Sequence, residues 1–225
     1  MIMGGDFIQT MLLTGKLAIW TTVLLLLIGF PLAYLLAYKR FLFKSILEAL
    51  INMPMVLPPT VLGFYMLVAY SPTSTIGRFL EQYFDLRLAF SFGGVLLASI
   101  LYSLPFMVQP LQNGLAAIPE SLREASATLG KSPLITFLKV LVPNMIPSII
   151  TAVAMTFAHC IGEFGVVIMV GGNIPGETRV ASIAIYDEVQ AMNYDTANQY
   201  SMVLFLISFI LLTIIYSLNS RKKRF

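Results

Sequence analysis

The only histidine and the only cysteine of the chain stand just ahead of a glutamate in a stretch without other charge: His159, Cys160 and Glu163. On a helix, four-residue spacing puts His159 and Glu163 on one face. These residue types can hold a metal or move a proton, but two ligands do not make a site. No second histidine exists, and the order is not the H-E-x-x-H of a zinc hydrolase. A carboxylate inside a membrane span is costly and marks a role, although an anionic solute would be repelled by it. The reading that remains is a hydrogen-bonded or salt-bridged Glu163 near the outer end of a path, with Arg179 as its candidate partner. Cys160 lies in an apolar run and reads as a small buried side chain; a lone cysteine excludes an intrachain disulfide. Gly130-Lys131-Ser132 resembles the end of a phosphate-binding loop. That motif needs a glycine five positions before Gly130, and position 125 is alanine. No strand pattern precedes it either, which argues against nucleotide binding by this chain.

The elements that must position these groups follow from composition. Apolar residues make up 58% of the 225 positions and charged ones 11%, less than half the share in soluble domains. Mean hydropathy is +0.85. Charges cut the chain into uncharged stretches at 17–38, 49–77, 88–119, 140–162 and 196–220. A helix of about 20 apolar residues crosses a hydrocarbon core of about 30 Å, so each stretch is long enough. The expected fold is an all-α integral membrane domain over 1–225, with five spans near 17–38, 49–72, 90–113, 144–168 and 197–219. The first stretch is too long for a signal-peptide core and has no small-residue cleavage site after it, so it is expected to remain. In 52–63 three prolines, Pro54, Pro58 and Pro59, fall within six residues. Each removes an amide donor and frees a carbonyl, which in lipid needs a neighbouring helix or a wet cavity. Thr60, Ser148, Thr151 and Thr156 are neutral candidates for such a path, although Ser and Thr also satisfy helix carbonyls.

Five spans put the termini on opposite sides. The 39–48 loop, the 119–143 loop and the tail hold Lys39, Arg40, Lys44, Arg123, Lys131, Lys139, Arg221, Lys222, Lys223 and Arg224, ten of the 14 basic residues. The other side holds Lys16, Arg78, Arg87 and Arg179, together with the acidic Glu177, Asp187, Glu188 and Asp195. That bias places the N-terminus outside and the C-terminus in the cytoplasm. The terminal Arg-Lys-Lys-Arg reads as an anchor beside acidic lipid. A net charge of +3 is too small to point to nucleic acid.

The loop at 119–143 carries the most information. Pro119 and Glu120 suit a first helical turn. Leu122, Ala125 and Leu129 share a face, and Gly130 supplies a left-handed stop. Ser132 and Pro133 open a second short helix, with an apolar stripe of Leu134, Phe137, Leu138 and Leu141. Two helices therefore meet at a glycine corner, the first with a polar side of Arg123, Glu124 and Thr128 suited to another protein's groove.

Glu124-Ala125-Ser126, Gly130 and Val140-Leu141-Val142-Pro143 resemble the EAA motif of ABC importer permeases, with Ser126, Val140 and Val142 as conservative departures. The Gly-Glu-Phe-Gly run at 162–165, the Gly-Asn-Ile-Pro-Gly-Glu-Thr run at 172–178 and the Leu-Pro-Pro-Thr-Val-Leu-Gly run at 57–63 resemble the molybdate permeases. The resemblance implies a non-catalytic, multi-pass subunit of the plasma (inner) membrane, of the type I importer architecture. It further implies a homodimer with two ABC ATPase subunits and an extracytoplasmic molybdate-binding protein. ATP would be bound by the partner ATPase, with no cofactor in this chain. Glu120, Arg123, Glu124, Ala125, Ser126 and Gly130 would couple to that ATPase. Thr60, Ser148, Thr151, Thr156 and Glu163 stay as path or gate candidates. Sulfate, thiosulfate and tungstate are the alternative solutes.

Overall fold

A computed structural model describes residues 5–222, and no strand occurs among them. In chain order the helices are α1 Gly5–Tyr38, α2 Lys44–Asn52, α3 Pro59–Tyr70, α4 Thr75–Phe84, α5 Phe92–Ala116 and α6 Glu120–Thr128. They continue with α7 Pro133–Thr136, α8 Val142–Asn144, α9 Ile146–Gly162, α10 Gly165–Gly171, α11 Ala181–Gln190 and α12 Tyr194–Lys222. Of the basic tail, Lys223 and Arg224 lie outside the described residues.

Three helices are long and apolar enough to cross a membrane: Gly5–Tyr38, Phe92–Ala116 and Tyr194–Ile215. Two further segments qualify only as bent pairs. Lys44–Met55 and Pro59–Tyr70 meet at 109°, and Pro133–Asn144 and Ile146–Gly162 at 75°. The first bend falls where the proline run removes amide donors, with a 3-10 turn at Met53–Met55. The second follows a π-helical stretch at Phe137–Leu141 and falls between Pro143 and Pro147. By length and composition the described residues thus hold three segments able to span a membrane, or up to five if each bent pair crosses once.

Helix α1 begins well before the span expected at 17–38. Lys16 does not interrupt it, because its ammonium group lies 4.4 Å from the centre of the Phe92 ring. The first turns of α1 are held by the Phe7–Tyr200 ring contact and by Thr14, whose hydroxyl accepts the Ala181 amide at 2.8 Å.

The core forms where α1, α5 and α9 pack together, around Leu25, Met107, Leu111 and Leu115. In lipid, burying apolar surface against apolar tails gains little, so helices associate through close contact and small residues. Ala18, Ala33, Ala98 and Ala152 are all completely buried. Helices α3 and α10, each following a break, pack on one another through glycines. A β-carbon on Gly63 would come within 2.7 Å of Met169, and one on Gly165 within 2.7 Å of Pro59. The two broken segments are thereby joined into one block beside the main bundle.

Candidate functional site

The loop after α5 folds as two helices around a tight corner. Pro119 is extended and Glu120 opens α6. At its other end the Gly130 amide donates to the Ala127 carbonyl at 2.9 Å and the Lys131 amide to the Ser126 carbonyl at 3.1 Å. Gly130 takes φ +70°, the left-handed conformation that such a stop requires. Ser132 then caps α7 by accepting the Ile135 amide at 3.4 Å. The hydroxyls of Ser126 and Thr136 meet at 2.8 Å inside the corner, joining the two helices.

This corner is tied to the bundle by aromatic contacts. The Arg123 guanidinium lies 4.2 Å from the centre of the Tyr38 ring, and the Tyr38 hydroxyl donates to the Leu115 carbonyl at 2.8 Å. Phe137 meets the rings of Phe30 and Tyr34 edge-on at 5.8 and 5.7 Å. Displacing α6 must therefore load the ends of α1 and α5. No spacing in the sequence linked Arg123 to Tyr38, since the two are far apart along the chain.

The outer side of α6 is unpartnered in the single chain. Leu122 is 39% exposed and Leu129 74% exposed, with Ala125 and Glu124 also at the surface. Arg123 is drawn towards α1 and Ser126 faces inward. Beside them a cleft of about 280 Å³ is bounded by Tyr34, Glu120, Arg123, Glu124 and Lys131.

The neutral candidates within the membrane separate into two groups. Thr60 is exposed, and Ser148 and Thr151 are half-buried. The Thr151 hydroxyl donates to the Pro147 carbonyl at 2.9 Å, as helical Ser and Thr often do. Thr156 is completely buried, and Glu163 is only 4% exposed.

Glu163 stands at the break between α9 and α10, in extended conformation. Its backbone carbonyl accepts from the Ser182 hydroxyl at 2.6 Å, which ties the break to α11. Neither carboxylate oxygen has a hydrogen-bond partner; the Ser99 hydroxyl faces them without closing one. The expected pairing with Arg179 is not formed. Arg179 instead bridges Asp187 at 3.0 Å and Glu188 at 3.3 Å, adjacent carboxylates on α11 that lie eight and nine residues after it. His159 does not reach Glu163 either: its Nδ1 meets the Ser103 hydroxyl at 2.9 Å. Among the described residues no group of three His, Cys, Asp or Glu side chains is placed to hold a metal.

Residues 29–221 match the family described as "Binding-protein-dependent transport system inner membrane component". The chain belongs to that family. As a binding-protein-dependent transport component it is a non-catalytic, multi-pass subunit of an inner membrane. The chain is 48% identical over 206 residues to the molybdenum transport system permease protein ModB of Azotobacter vinelandii, covering 91% of each. It is 34% identical over 183 residues to ModB of Haemophilus influenzae, covering 80% of each. The sulfate transport system permease protein CysT of Salmonella typhimurium is 34% identical over 197 residues, with 88% of this chain and 70% of that one covered. Among solved structures the fold is similar to that of the MetNI methionine ABC transporter in inward-facing conformations. The TM-score is 0.73 at 18% identity, over 97% of this chain and 99% of that one. A bacterial alginate ABC transporter aligns with a TM-score of 0.79 at 14% identity, over 97% and 80%. The transport component therefore shares an all-helical ABC-permease fold.

Proposed function

We propose that the chain is the permease subunit of an ATP-driven molybdate importer, working as a homodimer with two separate ABC ATPase subunits and an extracytoplasmic molybdate-binding protein. The solute rests on one observation, the higher identity to the molybdenum permease of Azotobacter vinelandii than to the sulfate permeases. Tungstate, nearly the same in size and charge, fits the same path; sulfate is the alternative. Each bent pair counts as one span, giving five, with the N-terminus outside and the C-terminus in the cytoplasm. The ten-to-four distribution of basic residues supports that orientation.

In this reading α6 docks into a cleft of the ATPase, which binds the ATP. Glu120, Glu124 and Ala125 meet the partner. Arg123 passes the motion to α1, while Ser126 and Gly130 keep the corner rigid. Closure of the ATPases pushes α6, and the contacts of Arg123 and Phe137 carry the push into α1 and α5. Thr60, Ser148 and Thr151 belong to the translocation path, and Thr156 and Glu163 to its gate. A dianion moving there needs neutral donors and water, since tightly paired charges would hold it.

The test of function is uptake in cells lacking their own molybdate import, with the permease, ATPase and binding protein produced together. Molybdate should accumulate with little competition from excess sulfate. Equal competition by sulfate would overturn the choice of solute, and uptake without the ATPase would overturn the class.

Orientation is tested separately. In a Cys160→Ala background a membrane-impermeant thiol reagent applied to intact cells should label Gln82→Cys on α4 and spare Arg40→Cys. Both positions are exposed in the single chain. Labelling of both would end the five-span topology.

A further inference from the structure

The outside of the bundle has two unlike faces. Away from their outer ends, α1 and α12 expose mainly apolar side chains, among them Trp20, Leu27, Phe205, Phe209 and Ile210, as a lipid-facing surface requires. On α5 and α9 a half-buried row is polar and aromatic, with Tyr102 and Gln109 on α5 and His159 on α9, flanked by the exposed Leu101 and by Met155 one turn from His159. Leaving the polar atoms of His159 and Tyr102 in hydrocarbon would be costly, so this side must meet water or a second copy across it.

At the centre of the row His159 is held in a fixed pose. Its ring stacks on Phe106 at 4.0 Å and lies 4.7 Å from Tyr102. Nδ1 is taken by the Ser103 hydroxyl at 2.9 Å, while Nε2 and the Tyr102 hydroxyl have no hydrogen-bond partner among the described residues. When Ser103 donates to Nδ1, the proton of a neutral imidazole sits on Nε2 and makes it an outward donor. Tyr102 supplies a second O–H on the same face. Gln109 lies two turns further along α5, about 10 Å away by helix rise. Its amide donates to Asn52 at 2.5 Å and reaches the Met55 sulfur at 3.4 Å, a weak contact that a stronger acceptor can replace.

The row therefore offers hydrogen-bond donors without a fixed charge of its own, and Glu163 is buried. We propose that His159 Nε2–H, set by Ser103 and assisted by the Tyr102 hydroxyl, hydrogen-bonds a tetrahedral oxyanion in transit, and that Gln109 receives it next. The solute class rests on the molybdate reading above. A cation at this position would trap a dianion and a carboxylate would repel it, whereas neutral donors replace part of its hydration and let it leave.

The experiment has two arms. Uptake of molybdate is measured for His159→Phe, which keeps a flat ring without a donor, for His159→Gln, which keeps a neutral donor, and for Ser103→Ala. ATPase copurification reports folding and assembly. His159→Phe should lose about tenfold or more of its uptake, the scale of one hydrogen bond to a charged group. His159→Gln should retain most of it, and Ser103→Ala should fall between, all with normal ATPase binding. In the second arm, Met155→Cys in the Cys160→Ala background should react with an anionic thiol reagent and be protected by molybdate. Phe205→Cys on α12 should not react. Normal uptake by His159→Phe, or equal loss in His159→Gln, overturns the donor role; an unreactive Met155→Cys overturns the placement of the path. Failure of the wild type to import molybdate would instead overturn the proposed solute, and the labelling arm would still decide the path.

Discussion

Gly130→Val is expected to separate the permease from its ATPase while leaving the membrane bundle folded, and Gly130→Asn is expected to transport almost as well as the parent. Gly130 sits at φ +70°, and a β-carbon placed there would meet nothing within 4 Å. Steric bulk is therefore not the obstacle; backbone conformation is. The left-handed region costs an ordinary residue about 1–2 kcal/mol, with Asn the usual exception and a β-branched residue the worst case. That cost falls on a corner held by two backbone hydrogen bonds and the Ser126–Thr136 pair. A valine should open the angle between α6 and α7 and move Glu124 and Ala125 away from the docking position proposed for them. The order of uptake and of ATPase copurification should be Gly, Asn, Ala, Val. Transport by Gly130→Val at the parent level would show that the corner does not set the coupling geometry. Equal loss in Asn and Val would point to a need for glycine other than its backbone angle.

The corner was legible in the sequence because every device in it is local. Pro119, Gly130 and the Ser132-Pro133 pair act on their own backbone or within a few residues, and each does so in the structure. The helical class was equally plain from the uncharged stretches. What could not be read were contacts between distant residues. Lys16 looked like a boundary of α1 because nothing in the chain announces the Phe92 ring that shields it. The proline run announced a break, but the 109° bend depends on α3 finding α10 across the glycine contacts. Arg123 looked like part of a polar docking side, and the structure turns it onto Tyr38. Arg179 was the plausible partner of Glu163 by charge alone. Asp187 and Glu188, eight and nine residues on, took it first, which a single sequence cannot arbitrate. By sequence His159 offers no more than half of a metal or acid/base pair with Glu163; the contacts with Ser103, Phe106 and Tyr102 that fix its ring come from a distant segment of the chain.

Glu163 gives the second large effect, and the structure reverses the order expected for a residue that holds the fold together. A carboxylate engaged in structural hydrogen bonds would survive replacement by glutamine better than by leucine. Here both oxygens are buried without a hydrogen-bond partner. A buried polar group left unpaired costs about 1–3 kcal/mol, and more for a charged one. Leucine fills a similar volume without that cost, so Glu163→Leu should unfold at a higher temperature than the parent in detergent, with Glu163→Gln between them. Uptake should run the other way. The residue stands at the break between α9 and α10, and its carbonyl ties that break to α11 through Ser182. A side chain that is destabilising in this conformation is retained at no gain unless it finds a partner when the break moves. Glu163→Leu is thus expected to be more stable, normally assembled and poor in transport, with glutamine recovering part of the uptake. Thermal unfolding and uptake on the same three proteins decide it. A leucine variant less stable than the glutamine one would show that the carboxylate holds a partner in the resting fold, and full uptake by the leucine variant would reduce Glu163 to a tolerated residue.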